Sequence, residues 1–362
     1  MKNLIKPVSL LFLVALLAAC TNSSISDLKA ETQGHFTEEQ LNYLKSQDYA
    51  NTSPYNGNMS MSKPLPVHLS WKASSGIFNI VLTNNYNDEV VTYETKEKSF
   101  DFYNPILGAE YTVQVFYRDS NEEISFVENT PVNGPRNIYV DGVENFRDIG
   151  GWGKIKQGMI YRSGRFNEDK ADTVNITVSE NGLYELNNHL KIKTEIDLRR
   201  VSTNEVGGLT DKSVLGNNVN YYQLPMVYGG NNILTFKGKV SGDDWEYDNP
   251  GEIKEFFKIL ADKNNYPINY HCSIGKDRTG CLSYLIEGLL GFDQETMYRD
   301  YMFTNFADAS MCKLTDITDR YGKTLDEYEN GSTLQEKVYN YLNLEVGVAK
   351  EYLDSVINIL KA

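Results

Sequence analysis

Ten residues, His271-Cys272-Ser273-Ile274-Gly275-Lys276-Asp277-Arg278-Thr279-Gly280, constrain the fold more than any other stretch of this chain. They lie between a short apolar run, Pro267-Ile268-Asn269-Tyr270, and a long apolar pattern at helical spacing, Thr279 to Leu290. A strand must therefore give way to a helix across one tight turn, with Gly275 supplying backbone freedom. Further strands are expected at Met159–Arg162, Thr194–Leu198 and Val219–Tyr222, and helices at Pro250–Asp262, Val346–Leu360 and elsewhere in the last part of the chain. Strands alternating with helices predict an α/β unit, a central mostly parallel sheet flanked by helices, over residues 137–362.

The same ten residues carry chemistry. Five residues separate Cys272 from Arg278, enough for the chain to curl so that its N–H groups converge. Such a nest, closed by a helix N-terminus, suits three oxygens of a phosphoryl group. Ser273, Ile274, Gly275, Lys276, Asp277 and Arg278 are the expected phosphate-binding residues. Arg278 offers a planar fork for two of the oxygens. The field that holds phosphate also favours a Cys272 thiolate, the expected nucleophile. Thr279 is placed to donate its hydroxyl to the departing thiolate, and His271 to orient the loop. A nucleotide-binding loop is excluded, because the Gly-x4-Gly-Lys-Ser/Thr spacing is missing. No metal or other cofactor is implied: four His are scattered and the carboxylates lack ligand spacing along the chain.

Upstream the character changes. Val67–Trp71, Ile77–Leu82 and Tyr111–Tyr117 alternate or are β-branched, and Asn, Gly, Asp and Ser clusters separate them, which predicts a small all-β sandwich over residues 64–136. Trp71 and Leu107-Gly108-Ala109-Glu110-Tyr111-Thr112-Val113 resemble a fibronectin type III module, with Trp71 and Tyr111 as core; its partner is unknown. Residues 20–63 are polar and read as a tether, with a short helix capped by Thr37-Glu38-Glu39-Gln40. Lys2 and Lys6 precede an apolar run, Val8 to Ala19, too short to span a bilayer and expected to be a signal peptide, residues 1–19. Leu17-Ala18-Ala19-Cys20 resembles a bacterial lipobox, which implies export, lipidation of Cys20 and membrane anchoring at the cell envelope. The remaining Cys272, Cys281 and Cys312 are an odd number and predict no disulfide framework. The formal charge of −14 argues against nucleic acid as a partner.

Beyond the cysteine loop, Asn145-Phe146-Arg147-Asp148-Ile149-Gly150-Gly151, Gly158-Met159-Ile160-Tyr161-Arg162-Ser163-Gly164, Ile196-Asp197-Leu198-Arg199 with Glu205, Leu289-Leu290-Gly291 and Asp300–Asn305 occur in order. Together they resemble the atypical bacterial tyrosine phosphatases with an NFRD-type entry motif. The resemblance covers roughly Val140 to Asn305. It implies a cysteine-phosphatase fold and phosphotyrosine proteins, phosphoserine proteins or phosphoinositides as substrates. Arg147, Asp148, Arg199 and His271 are expected to organise the loop from behind. Two other readings are kept: an inositol polyphosphate phosphatase, and a non-catalytic phospho-ligand-binding surface lipoprotein. The general acid is open between Asp277, as in myotubularin-like enzymes, and Asp243 or Asp244 in the Gly-rich connection Leu224–Pro250. Asp277 is favoured, since bound phosphate would raise its pKa; the alternative is that it pairs with Arg147 or Arg162 and only shapes the loop.

Overall fold

The computed structural model describes residues 24–52, 59–128, 134–167, 178–201, 212–228, 233–307 and 312–362. The chain divides into two compact units, one formed by residues up to Phe36 with Pro64–Pro131 and the other by Thr37–Lys63 with Val132–Ala362.

The first unit is a β-sandwich. One sheet holds β1 (Ser26–Glu31), β2 (Val67–Lys72) and β5 (Ser99–Phe102) in the order β1-β2-β5. The other holds β3 (Phe78–Asn84), β4 (Glu89–Thr95), β6 (Glu110–Tyr117) and β7 (Ser120–Val127) in the order β4-β3-β6-β7. Every second residue of β3 is buried, from Phe78 through Ile80 and Leu82, as period-two alternation requires. Trp71 and Tyr111 are buried, and the Tyr111 hydroxyl accepts the Ile106 N–H at 3.0 Å, pinning the loop ahead of β6.

The stretch that composition marks as a polar tether is structured where it is described. Ser26–Glu31 pairs with β2 through main-chain bonds, which need no apolar composition. Helix α1 (Glu38–Lys45) begins at the expected capping box of Thr37 and Gln40. It packs within the second unit: Tyr43 is fully buried against Phe303 and Phe306, and its hydroxyl donates to the Arg299 carbonyl at 3.3 Å. Arg299 in turn donates to the carbonyls of Tyr43 and Ser46, and Asn305 donates to Thr52. Scattered apolar residues in a polar background suffice because a few aromatic side chains carry the burial.

The second unit centres on a sheet of six strands: β8 (Arg136–Asn137), β9 (Arg147–Asp148), β10 (Ile160–Ser163), β11 (Thr194–Asp197), β12 (Asn220–Gln223) and β15 (Ile268–His271), in the order β12-β11-β15-β10-β9-β8. β12, β11, β15 and β10 run parallel, and β9 and β8 close one edge antiparallel. The remaining strands, β13 (Lys237–Lys239) and β14 (Glu246–Asp248), form a separate hairpin inside the Leu224–Pro250 connection. The helices are α2 (Glu180–Tyr184), α3 (Asn249–Leu260), α4 (Asp277–Leu289), α5 (Gln294–Met302), the short α6 (Leu314–Ile317) and α7 (Lys323–Asp326) joined by a π-turn at Thr318–Gly322, α8 (Leu334–Leu344) and α9 (Lys350–Leu360). The last begins four residues later than its apolar spacing suggests, because Gly347 takes a left-handed φ of +78° and Ala349 is an extended N-cap. Helix α4 is buried from Arg278 to Leu289, packed between the sheet and α5 and α8, which accounts for its apolar residues on every side.

Candidate active site

The loop between β15 and α4 is held from outside by its carbonyls. The Cys272 carbonyl accepts from His271 Nδ1 at 3.1 Å. That of Ser273 accepts the Arg165 N–H at 3.1 Å and Arg165 Nη1 at 2.9 Å. Asn145 Nδ2 reaches both the Ile274 and Gly275 carbonyls at 3.0 Å, and Arg162 Nη2 the Gly275 carbonyl at 2.7 Å. Across a trans peptide the next N–H points opposite to the carbonyl. Tethering four consecutive carbonyls to the scaffold therefore turns the N–H groups of Ser273 to Lys276 toward the concave side of the turn. Gly275 has φ +70°, and a Cβ there would lie 2.6 Å from the Ser163 carbonyl oxygen. No other residue fits. Cys272, the first residue of this loop, is 2 % exposed.

Arg278, one residue into α4, donates Nη1 to the carbonyls of Leu198 at 3.1 Å and Met226 at 3.4 Å, while Tyr228 lies 5.2 Å across its guanidinium. The Thr279 hydroxyl is buried with no hydrogen-bond partner among the described residues.

Beneath the loop is a buried charged cluster. Asp300 of α5 accepts from Arg147 Nε at 3.1 Å, Arg162 Nη1 at 2.9 Å and the Trp152 indole at 3.2 Å. Arg147 also bonds Asn145, and so acts on the cradle through that side chain. Burial alone would raise the pKa of Asp300, but Arg147 and Arg162 outweigh it and hold the carboxyl ionised. Glu287 of α4 goes the other way: burial, then Asp300, push its carboxyl well above the usual carboxylate range. Two guanidiniums share one ionised carboxylate, and burial biases the second carboxyl toward its neutral form, an arrangement suited to an anion above it.

His271 is fully buried and hydrogen-bonded at both ring nitrogens, Nδ1 with the Cys272 carbonyl and Nε2 with Glu195 at 2.9 Å. Ser213 donates to the other Glu195 oxygen. Asp197 sits opposite His271 across the β11–β15 register and is held ionised against burial by His271 and Arg199. Glu195, Asp197 and His271 thus meet within 4.8 Å, a grouping invisible in linear spacing. Arg199, Ser213 and the Cys272 carbonyl already occupy its polar atoms, which makes it a positioning network.

The other expected site residues fall as follows. Arg199 grips Asp197 through both oxygens and also donates to Asn167. Asp148 is remote from the loop by its bonds: it accepts from Arg136 and from the Gly150 and Gly158 N–H groups, clamping the sheet edge. Asp277 does not pair with Arg147 or Arg162, which Asp300 has taken; it pairs with Arg320. Lys276 pairs with Asp316 at 3.2 Å. Asp243 is turned into its own hairpin, where the Tyr247 hydroxyl holds its carboxyl below the usual range. Cys20, Glu205 and Gly229-Gly230 lie outside the described residues. Asn145 and Asp300 lie within the motifs quoted from the sequence without a role of their own, and Arg162 enters there only as a possible partner of Asp277. Arg165, Glu195, Asp316 and Arg320 went unrecognised; only Glu195 had a usable signal, its parity with Asp197 on one strand.

A family model described as the tyrosine phosphatase family matches residues 138–362. The chain belongs to the tyrosine phosphatase family. This phosphatase matches no curated protein. Among solved structures, the core catalytic domain of the PP-IP phosphatase SIW14 from S. cerevisiae, in complex with citrate, is 18% identical over 57% of this chain and 96% of that one, with a TM-score of 0.32. TpbA of P. aeruginosa is 17% identical over 45% of this chain and 76% of its own, with a TM-score of 0.28. A TpbA variant in complex with pTyr gives 16% identity over 45% and 75%, with a TM-score of 0.28. The phosphatase unit is thus a protein-tyrosine-phosphatase-like enzyme on a mixed sheet flanked by helices, preceded by a β-sandwich.

Proposed function

We propose that the enzyme hydrolyses phosphotyrosine in proteins, and phosphoinositides as a second substrate class, through a cysteinyl-phosphate. The observation that carries this reading is the cradle: four scaffold-tethered carbonyls, N–H groups turned to the concave side, and buried Cys272 and Arg278 at the two ends of the loop. The Cys272 thiolate attacks phosphorus as the ester P–O bond breaks. The N–H groups and Arg278 stabilise the equatorial oxygens. Asp277 gives its proton to the leaving oxygen and later takes one from the water that hydrolyses the phosphoenzyme. Thr279 donates to the departing thiolate as inorganic phosphate leaves. The polyphosphate reading is disfavoured by Asp316, whose carboxylate lies against both Lys276 and Arg320 and offsets their charge beside the cradle.

The test is turnover in EDTA of a phosphotyrosine peptide, a phosphoserine peptide and phosphoinositide vesicles. Phosphotyrosine should be fastest, and Cys272→Ser should abolish turnover while retaining ester binding. Activity lost on chelation and restored by a divalent ion would overturn the thiolate mechanism.

For the rest of the chain, the proposal is an exported protein anchored at the bacterial envelope by lipid on Cys20, supported by the leader and the Leu17–Cys20 motif. Among the described residues no helix is long and apolar enough to cross a membrane. The three-plus-four strand order and the Tyr111 bond support a fibronectin type III-like module. Metabolic palmitate labelling that survives Cys20→Ala would refute the anchor.

A further inference from the structure

Asp277 is the first residue of α4 and its side chain is only 15% exposed, yet its partner comes from a segment with no part in the cysteine loop. Arg320, on the π-turn Thr318–Gly322, donates Nη1 to Asp277 Oδ1. A guanidinium can only donate, so Oδ1 is fixed as an acceptor and a proton on this carboxyl resides on Oδ2. Arg320 is itself braced: Asp316 lies one turn back, 3.7 Å from Nη2. Asp316 also accepts the Lys313 N–H at 3.0 Å and Lys276 Nζ at 3.2 Å, so one carboxylate ties the cradle's Lys276 to the arm that holds Asp277. Burial would lower the pKa of Arg320, but Asp277 and Asp316 outweigh it and keep the guanidinium charged. Gly280, on the same face of α4, lies against both α5 and the π-turn: a Cβ there would clash with the Tyr301 ring of α5 at 2.8 Å and would only touch the Tyr321 hydroxyl, at 3.5 Å. Facing this segment from α4 are Asp277, Gly280 and Tyr284, whose ring lies 5.3 Å from that of Tyr321, and facing back are Arg320, Tyr321 and Asp316.

We infer that Arg320, braced by Asp316, is a positioning residue that orients the Asp277 carboxyl for proton delivery; this rests on Asp277 being the general acid. As the ester P–O bond breaks, the proton moves from Oδ2 to the leaving oxygen and Asp277 becomes a carboxylate. Arg320 then faces a full opposite charge, so it favours the proton-transferred side of the step. With Oδ1 held, Oδ2 has one direction in which to deliver, and proton transfer needs a reach of about 2.6–3.2 Å.

The experiment compares an alkyl phosphate with p-nitrophenyl phosphate, whose leaving group needs little protonation, in full-length protein. Arg320→Met should slow the alkyl ester about ten- to hundred-fold, a part of the full reach of general acid catalysis, and the aryl ester less than about three-fold. Its alkaline limb in the kcat profile should move to higher pH, and Arg320→Lys should recover part of the alkyl rate. In an Asp277→Asn background, Arg320→Met should add nothing, since both act through one proton. Competitive inhibition by inorganic phosphate should be unchanged, which reports an intact cradle even where stability falls. Equal slowing of both esters, or effects additive with Asp277→Asn, would overturn the positioning role. Should Asp277→Asn itself lack leaving-group dependence, Asp277 is not the acid and the inference fails with that reading; Asp277→Asn selective without Arg320→Met being so refutes the inference alone.

Discussion

At the scale of residues, Asp300 and Glu287 are both buried acids near Arg147 and Arg162, and they behave oppositely. Asp300 makes hydrogen bonds to both guanidiniums, whereas one Glu287 oxygen is buried with no partner among the described residues. Asp300→Asn should therefore cost about 3–5 kcal/mol, the usual penalty for stripping a buried charge of its partner, read by urea unfolding. Glu287→Gln should behave differently. The folded protein keeps a proton that the unfolded chain releases above a pKa of 4.5, so wild-type stability is full below that value and falls as pH rises toward the folded pKa. The Gln variant lacks that loss and should gain on the wild type as pH rises above about 4.5; a difference that stays constant with pH would show that the Glu287 carboxyl is not raised. Cys272 and Arg278 were legible in sequence because phosphate chemistry fixes their spacing. Arg320 was not, for its partner stands 43 positions away and nothing local marks the pair.

Among elements, the parallel strands and α3 and α4 were readable from apolar runs, because buried sheet and central helix demand them. The edge strands β8 and β9 were not: each has two residues and is held by Arg136 and Asp148 rather than by apolar pattern. Helix α1 was anticipated from its capping box, while its docking site could not be, since that depends on residues more than 250 positions later. Tyr43 is the element's anchor, fully buried with aromatic neighbours. Tyr43→Ala should destabilise the phosphatase unit by about 3–5 kcal/mol, with hydrogen-exchange protection lost in α5 and at Phe303–Phe306. Unchanged protection there would show the helix to be a passive cover.

For the molecule as a whole, a formal charge of −14 surrounds a site built to take an anion. The local cluster under the cradle must work against the general field. Catalytic efficiency toward a dianionic aryl phosphate should then rise, about two- to five-fold, as ionic strength goes from roughly 0.01 to 0.15 M, because salt screens the repulsion. A fall over that range would mean the approach path is positive. The aromatic anchor of α1 also sets a timetable for synthesis. Tyr43 leaves the ribosome 256 residues ahead of Arg299, which at ordinary elongation is roughly 13 to 50 seconds. For that interval an aromatic-bearing helix has no home, and the phosphatase unit cannot close until its last third has been made.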